Sequence, residues 1–163
     1  MDKREACCCF TGHRVVMSEH LNIIEKQLED IITRLCSYGI QTFIAGGALG
    51  FDTIAAKAVL KMRDKGFAIK LVLALPCKEQ AKNWRAADID VYNNILASAD
   101  EVVYVSEEYS AGCLHMRNRF MVDHSSHCVF YLTYPRGGTA YTVKYALQNE
   151  LEMHNVITEQ GSF

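Results

Sequence analysis

Residues 40–63, IQTFIAGGALGFDTIAAKAVLKMR, indicate the fold class of this chain most clearly. The first part of this stretch, residues 40–45, is an apolar run that predicts a buried strand. Gly46 and Gly47 end that strand, and residues 51–63 then carry their apolar side chains on one side, as an amphipathic helix does. A strand, a glycine turn and a helix in direct succession are the start of a β-α-β unit.

The same alternation continues through the rest of the chain. Helices connecting strands in this way produce, through short right-handed crossovers, a parallel sheet covered on both faces. We therefore predict an α/β fold, a single Rossmann-like three-layer domain over 1–163 with a mainly parallel sheet of about five or more strands. The strands are predicted over 5–10, 40–45, 69–75, 101–105 and 128–132, and the helices over 21–35, 51–63, 78–98 with a break, 116–125 and 139–153.

Composition restricts the classes of function. Half of the 163 residues are apolar, 22% are charged and the net charge is −2, as in an ordinary folded enzyme or binding protein. No basic run or stripe is present, so nucleic acid and membrane surfaces are disfavoured as partners. The apolar runs are too short to span a bilayer and the first residues are charged, so we expect a cytoplasmic protein.

The cysteines and histidines give no metal pattern. Of the seven cysteines, Cys7, Cys8 and Cys9 are consecutive and no pair has Cys-x-x-Cys spacing, so we predict reduced thiols that pack as small apolar residues, with a redox role as the alternative. The histidines, which include His127 and His154, form no evident set with neighbouring carboxylates. We predict no metal site and no required cofactor.

Ligands of such sheets bind beyond the carboxyl ends of the strands. The first loop there is Thr11-Gly12-His13-Arg14, in which Gly12 allows backbone N–H groups to approach an anion. Thr11 adds a hydroxyl, and Arg14 offers a bidentate fork for phosphate or carboxylate. The alternative is an ordinary turn with a solvated arginine.

The second loop, GGALGFD at 46–52, opens directly into a helix whose amino end favours negative charge. Its glycines, Gly46, Gly47 and Gly50, have neither the dinucleotide spacing nor the Lys and Ser or Thr of a P-loop. We therefore expect contact with phosphate or ribose without ATP hydrolysis. Asp52 either stabilises the helix dipole or bonds to a ligand hydroxyl, such as one of ribose.

The third loop, Arg136-Gly137-Gly138-Thr139, repeats the same arrangement of glycine before a helix. We expect Gly137 and Gly138 to present N–H groups to an anion, and Thr139 either to contact the ligand or to cap the helix.

The helix predicted over 116–125 carries three further candidates. Arg119 and Asp123 are four residues apart and either pair with each other or bind the ligand. Arg117 has no acidic neighbour at helical spacing, which points to a long-range partner or a ligand phosphate.

Trp84 is interpreted as a core residue or as a platform for a base.

The motifs are individually loose but specific when they are taken together in this order. Thr11-Gly12-His13-Arg14, GGALGFD at 46–52, RNRFMVD at 117–123 and GGT at 137–139 followed by TVKYA at 142–146 resemble the YpsA-like branch of the SLOG superfamily over nearly the whole chain. The resemblance implies a Rossmann-like fold that senses or processes a nucleotide-derived ligand, such as AMP, NAD or an ADP-ribose derivative. It also implies association into a homo-oligomer.

A neighbouring SLOG family, the LOG-type phosphoribohydrolases, suggests a catalytic alternative. LHMRNRFM at 114–121 is similar to that family's M-H-x-R-K-x-x-M, which places Arg117 on the catalytic arginine. The second motif is met only in part, because no Glu follows Gly137-Gly138-Thr139 at the expected place. A carboxylate assists glycosidic cleavage, and only Asp52 or Asp123 could substitute here. We therefore rank ligand binding first, LOG-like hydrolysis second, and a DNA-processing or protein-interaction role third.

Overall fold

Within residues 2–157, six strands form one parallel sheet. The computed structural model describes residues 2–157, and the strand order is β4-β3-β2-β1-β5-β6 with every neighbouring pair parallel. The α/β parallel fold predicted from the sequence is therefore confirmed. The strands are β1 (Cys7–Gly12), β2 (Thr42–Ala45), β3 (Lys70–Leu75), β4 (Glu101–Tyr104), β5 (His127–Tyr131) and β6 (Glu152–Asn155). The helices are α1 (Leu21–Ser37), α2 (Phe51–Asp64), α3 (Ala86–Ser98), α4 (Cys113–Asp123) and α5 (Gly138–Gln148), with short 3-10 turns at Arg4–Ala6 and Ser18–His20.

The central strand β1 divides two apolar layers. Successive side chains of a strand point to opposite faces, so Cys8 and Phe10 pack with the buried residues of α1, α2 and α3, and Cys7 and Cys9 pack with those of α4 and α5. All four residues are fully buried. Two helical layers thus enclose the sheet, as a three-layer fold requires.

The cysteines pack as small apolar residues. All seven are free thiols, and all but Cys36 are buried. Burial raises the pKa of the Cys8 thiol well above its usual value. Since the thiolate is the reactive form, this environment favours the packing interpretation over the redox one.

The start of the first strand and the end of the last helix differ from the prediction. The first strand begins at Cys7 instead of residue 5, because Arg4–Ala6 forms a 3-10 turn. The last helix was predicted to reach residue 153, which is wrong: it ends at Gln148, and Glu150 takes a positive φ of 61°. The chain then forms β6, a strand that sequence periodicity did not reveal because it is only four residues long. The predicted break within 78–98 is confirmed, since α3 begins only at Ala86.

Gly12 is required by packing at the end of β1. A β-carbon there would lie 2.3 Å from the Phe51 ring, which is fully buried at the start of α2. We predict that Gly12→Ala lowers the free energy of unfolding by at least about 1–3 kcal/mol, the usual range for overpacking. Urea unfolding followed by circular dichroism measures the change.

Gly138→Ala is the matched control, because a β-carbon at Gly138 has no neighbour within 4 Å. It should change the free energy of unfolding by less than about 0.5 kcal/mol. Equal losses in the two variants would contradict the packing argument.

Candidate functional site

A cavity of about 570 Å³ opens beyond the carboxyl ends of β1 and β5. This size is within the usual range for small-molecule sites. The loops after β1, β2 and β5 line it together with α4, so residues far apart in sequence meet here. The lining residues are Thr11, Gly12, His13, Arg14, Ala48, Asp52, Leu114, His115, Arg117, Asn118, Met121, Tyr134, Arg136, Gly137, Gly138 and Thr139.

The glycines of the second loop do not line this cavity. At Gly46 a β-carbon would lie 2.7 Å from Nη1 of Arg117 and 2.8 Å from Oδ2 of Asp52. At Gly50, where φ is +79°, it would lie 2.1 Å from the carbonyl oxygen of Arg14. Gly47 also has a positive φ, of 70°. The protein's own close packing and backbone conformation therefore account for these glycines, whereas Ala48 and Asp52 face the cavity.

Asp52 and Arg117 form a buried pair of charges at the cavity wall. They are only 6% and 5% exposed. Burial raises the pKa of Asp52 to about 6, although the Arg117 charge and a hydrogen bond from the Ala48 N–H (3.2 Å) oppose the rise. Arg117 also donates to the Gly46 carbonyl and, at 2.8 Å, to Oδ1 of Asn118. Its acidic partner is therefore long-range, which is one of the two interpretations that the sequence allowed.

The third loop differs from the second because its glycines face open space. Gly137 has a φ of +89° and precedes α5, and a β-carbon at Gly137 or Gly138 would meet no atom within 4 Å. Helix geometry leaves the first N–H groups of α5 without intrahelical partners. Thr139 lies in that first turn and is not the residue that caps it, since the cap position is Gly137. This loop is the part of the cavity best suited to an anion.

The Arg14 side chain contacts the Trp84 ring. The guanidinium carbon of Arg14 lies 5.6 Å from the centre of the Trp84 ring, within the range of a cation–π contact. Trp84 itself packs against the core and meets Tyr92 edge to face. Trp84 is therefore a partly buried support for Arg14 that lies outside the cavity lining.

Several lining residues were not selected from the sequence. His13 stacks on Tyr134 with ring centres 4.0 Å apart, and its Nε2 accepts a hydrogen bond from the Thr133 N–H at 2.8 Å. His115 and Arg136 also line the cavity. His13, His115, Tyr134 and Arg136 lie in or beside the quoted motifs. A survey of every polar or aromatic side chain in these motifs and the strand-end loops would have found them.

Arg119 and Asp123 lie outside the cavity lining. Nε of Arg119 donates to the Tyr141 hydroxyl at 2.8 Å, and its guanidinium lies over the Tyr145 ring. The Tyr145 hydroxyl donates to Oδ1 of Asp123 at 2.7 Å. These two candidate residues thus help α4 pack against α5.

The expectation that the histidines form no set with a carboxylate is wrong. His127, Glu152 and His154 bring their ligand-type atoms within 4.8 Å of one another. Burial lowers the pKa of His127 and lowers that of His154 to about 4. The sequence did not reveal this cluster because it depends on β6, which was not predicted.

Comparison with known proteins now identifies the family. The model for YpsA, described as the YspA SLOG family, matches residues 9–159. The chain belongs to this SLOG family. It is 34% identical over 136 residues to the uncharacterized SPbeta prophage-derived protein YoqJ of Bacillus subtilis, covering 76% of this chain and 78% of YoqJ. It is 28% identical over 122 residues to the UPF0398 protein BH1768 of Halalkalibacterium halodurans, covering 71% of this chain and 65% of that protein.

Solved structures support the fold of this SLOG protein. DNA processing protein A (DprA) of Streptococcus pneumoniae matches 97% of the chain with a TM-score of 0.68 at 14% identity, and this chain spans 52% of that protein. DprA of Helicobacter pylori matches 98% of the chain and 68% of its own with a TM-score of 0.67 at 13% identity. At these identities the likeness shows the fold alone.

Among residues 2–157, no helix is long and apolar enough to cross a membrane.

The raised pKa of Asp52 predicts a pH-dependent stability. The carboxyl titrates near 3.8 in the unfolded chain and near 6 in the folded protein, so the folded state holds the proton more tightly. Its contribution to stability is therefore present below about pH 4 and is lost as pH rises through about 6. Asp52→Asn removes this titration. The free energy of unfolding of the variant, relative to that of the original protein, should therefore rise by about 2 kcal/mol from about pH 4.5 to about pH 7.5.

Urea unfolding of both proteins at the two pH values measures this difference. The two proteins are compared by the change in their free energy of unfolding between the two pH values. Any cost of removing the Arg117 partner that does not depend on pH is the same at both values and therefore cancels to first order. A difference between the two proteins that stays constant across the range would contradict the buried, partly protonated carboxyl.

Proposed function

We propose that this SLOG protein binds a phosphate-bearing, nucleotide-derived ligand in the cavity at the carboxyl ends of β1 and β5. The observation that carries the proposal is the open start of α5, where Gly137 and Gly138 leave room for an anion to reach the backbone. Arg14 and Arg136 line the same cavity. Backbone donors at a helix start together with arginines are a common phosphate-binding combination.

The remaining lining residues suit the rest of a nucleotide. Tyr134 is 49% exposed, lines the cavity and already stacks its ring on His13, so it offers an aromatic surface for a base. Asp52 offers a carboxyl oxygen at the wall, where a ribose hydroxyl would hydrogen-bond to it.

The hydrolase alternative has weaker support. Arg117, which matches the catalytic arginine of the LOG-type family, is almost fully buried and already donates to Gly46 and Asn118. Asp52 is the carboxylate that lines the cavity within residues 2–157. A hydrolase would require this one carboxyl group to assist cleavage beside an arginine that is engaged elsewhere.

Single-stranded DNA is the second candidate ligand. The H. pylori DprA structure, whose fold matches 98% of this chain, is described by its single-stranded DNA binding mode. That neighbour weighs against the expectation that nucleic acid is a disfavoured partner. A DNA phosphate would use the same arginines and helix start, so the experiment must separate the two ligands.

Arg136→Gln is the variant that tests phosphate binding. We predict that a nucleotide raises the melting temperature of the original protein, because the ligand binds only the folded state. The screen contains AMP, ADP, ATP, GMP, NAD, ADP-ribose, ribose 5-phosphate and a thymidine oligonucleotide. Arg136→Gln should weaken the affinity for the active compound about tenfold, as expected for one lost charge-assisted contact.

Arg34→Gln is the matched control, since Arg34 is an exposed arginine in the last turn of α1 and does not line the cavity. A response only to the oligonucleotide would favour the DNA candidate, and release of free base from a monophosphate would favour the hydrolase. No shift with any compound, or equal losses in both variants, would refute the proposal.

A further inference from the structure

Two histidines and a glutamate meet at the edge of the sheet. His127 is the first residue of β5 and Glu152 the first residue of β6, and the two are paired in register. His154 lies two residues further along β6, so its side chain points to the same face of the sheet as that of Glu152. The cluster is therefore at the amino ends of these strands, whereas the candidate ligand cavity is at their carboxyl ends.

The donor atoms of the three side chains converge. Nδ1 of His127 lies 3.0 Å from Nε2 of His154 and 3.8 Å from Oε2 of Glu152, and the three ligand-type atoms all lie within 4.8 Å of one another. Tetrahedral zinc with bonds of about 2.0–2.2 Å separates its donor atoms by roughly 3.3–3.6 Å. Side-chain movements of a few tenths of an ångström would bring the two nitrogens to that spacing.

We propose that His127, Glu152 and His154 form a binding site for a divalent transition-metal ion of the zinc type. Two imidazole nitrogens and one carboxylate oxygen are a donor set that zinc uses when it keeps a fourth position for water. The His127 side chain is 12% exposed and that of Glu152 is 74% exposed. The ion would thus rest on a nearly buried imidazole and be closed from the solvent side by the carboxylate.

In the metal-free protein Arg34 lies against the cluster, where its positive charge disfavours metal binding. Its Nη2 lies 3.5 Å from Nδ1 of His154. Because arginine only donates, this nitrogen of His154 accepts, and the hydrogen on Nε2 is donated to Nδ1 of His127. Metal binding at Nε2 moves that hydrogen to Nδ1, so no net proton is released, but Nδ1 then faces another donor. Arg34 is exposed and must swing away.

The ion would tie the edge strand to its neighbour. Within residues 2–157, strand β6 pairs only with β5, and it is four residues long. A ligand that binds only the folded state stabilises it by an amount that grows with the logarithm of the ligand concentration above the dissociation constant. Zinc should therefore raise the melting temperature of the intact chain, independently of any nucleotide.

The test is a zinc titration of the metal-free full chain by isothermal calorimetry, with melting temperatures measured in parallel. We expect one zinc ion per chain, and at least about tenfold weaker binding in His154→Gln and in Glu152→Gln. Glu152→Gln changes an exposed side chain, so it keeps the test informative if His154→Gln fails to fold. Arg34→Gln removes the opposing cation and should bind zinc more tightly.

His124→Gln is the control, because His124 is exposed, does not belong to the cluster and bonds through Nδ1 to the Phe120 carbonyl. It should bind zinc as the original protein does. Cobalt substitution identifies the donors, since thiolate ligands add an intense charge-transfer band that nitrogen and oxygen ligands lack. The absence of one-to-one binding, unchanged affinity in both cluster variants, or a thiolate band would each overturn the proposal.

Discussion

The close contact between the end of β1 and the start of α2 is the constraint on which the rest of this structure depends. Gly12 and Gly50 allow it, because a side chain at either position would collide with the Phe51 ring or with the backbone of Arg14. The Phe51 N–H also donates to the His13 carbonyl at 3.2 Å. This contact fixes the first turn of α2 against the central strand and so directs Asp52 into the cavity beside Arg117.

The cavity consequently has a closed side and an open side. On the closed side the buried charges of Asp52 and Arg117 offset each other, and Gly46 leaves just enough room for both. On the open side Gly137 and Gly138 meet no neighbouring atoms. Glycines in similar strand-to-helix loops thus have different roles. Some allow the protein to pack closely against itself, and others leave backbone N–H donors accessible to a ligand.

The sequence predicts the fold better than the site. Apolar runs and the periodicity of α1 suffice for a parallel α/β sheet, because burial on both faces leaves a clear pattern. Glycine loops also indicate the end of the sheet at which the cavity opens. Local patterns cannot distinguish Gly46 from Gly138, since the difference is what each glycine meets in three dimensions. The cluster of His127 and His154 was also missed, because the two residues meet only through β6, a short strand without periodicity.

The proposed function requires the open start of α5 to receive a phosphate group. The most direct measurement is a titration of the ¹⁵N-labelled protein with AMP and ADP-ribose, followed by amide chemical shifts. We predict saturable shifts that are largest at the amides of Gly138 and Thr139, with smaller ones at Thr11 and Gly12. Saturable binding that leaves the amides of Gly138 and Thr139 unchanged would contradict it.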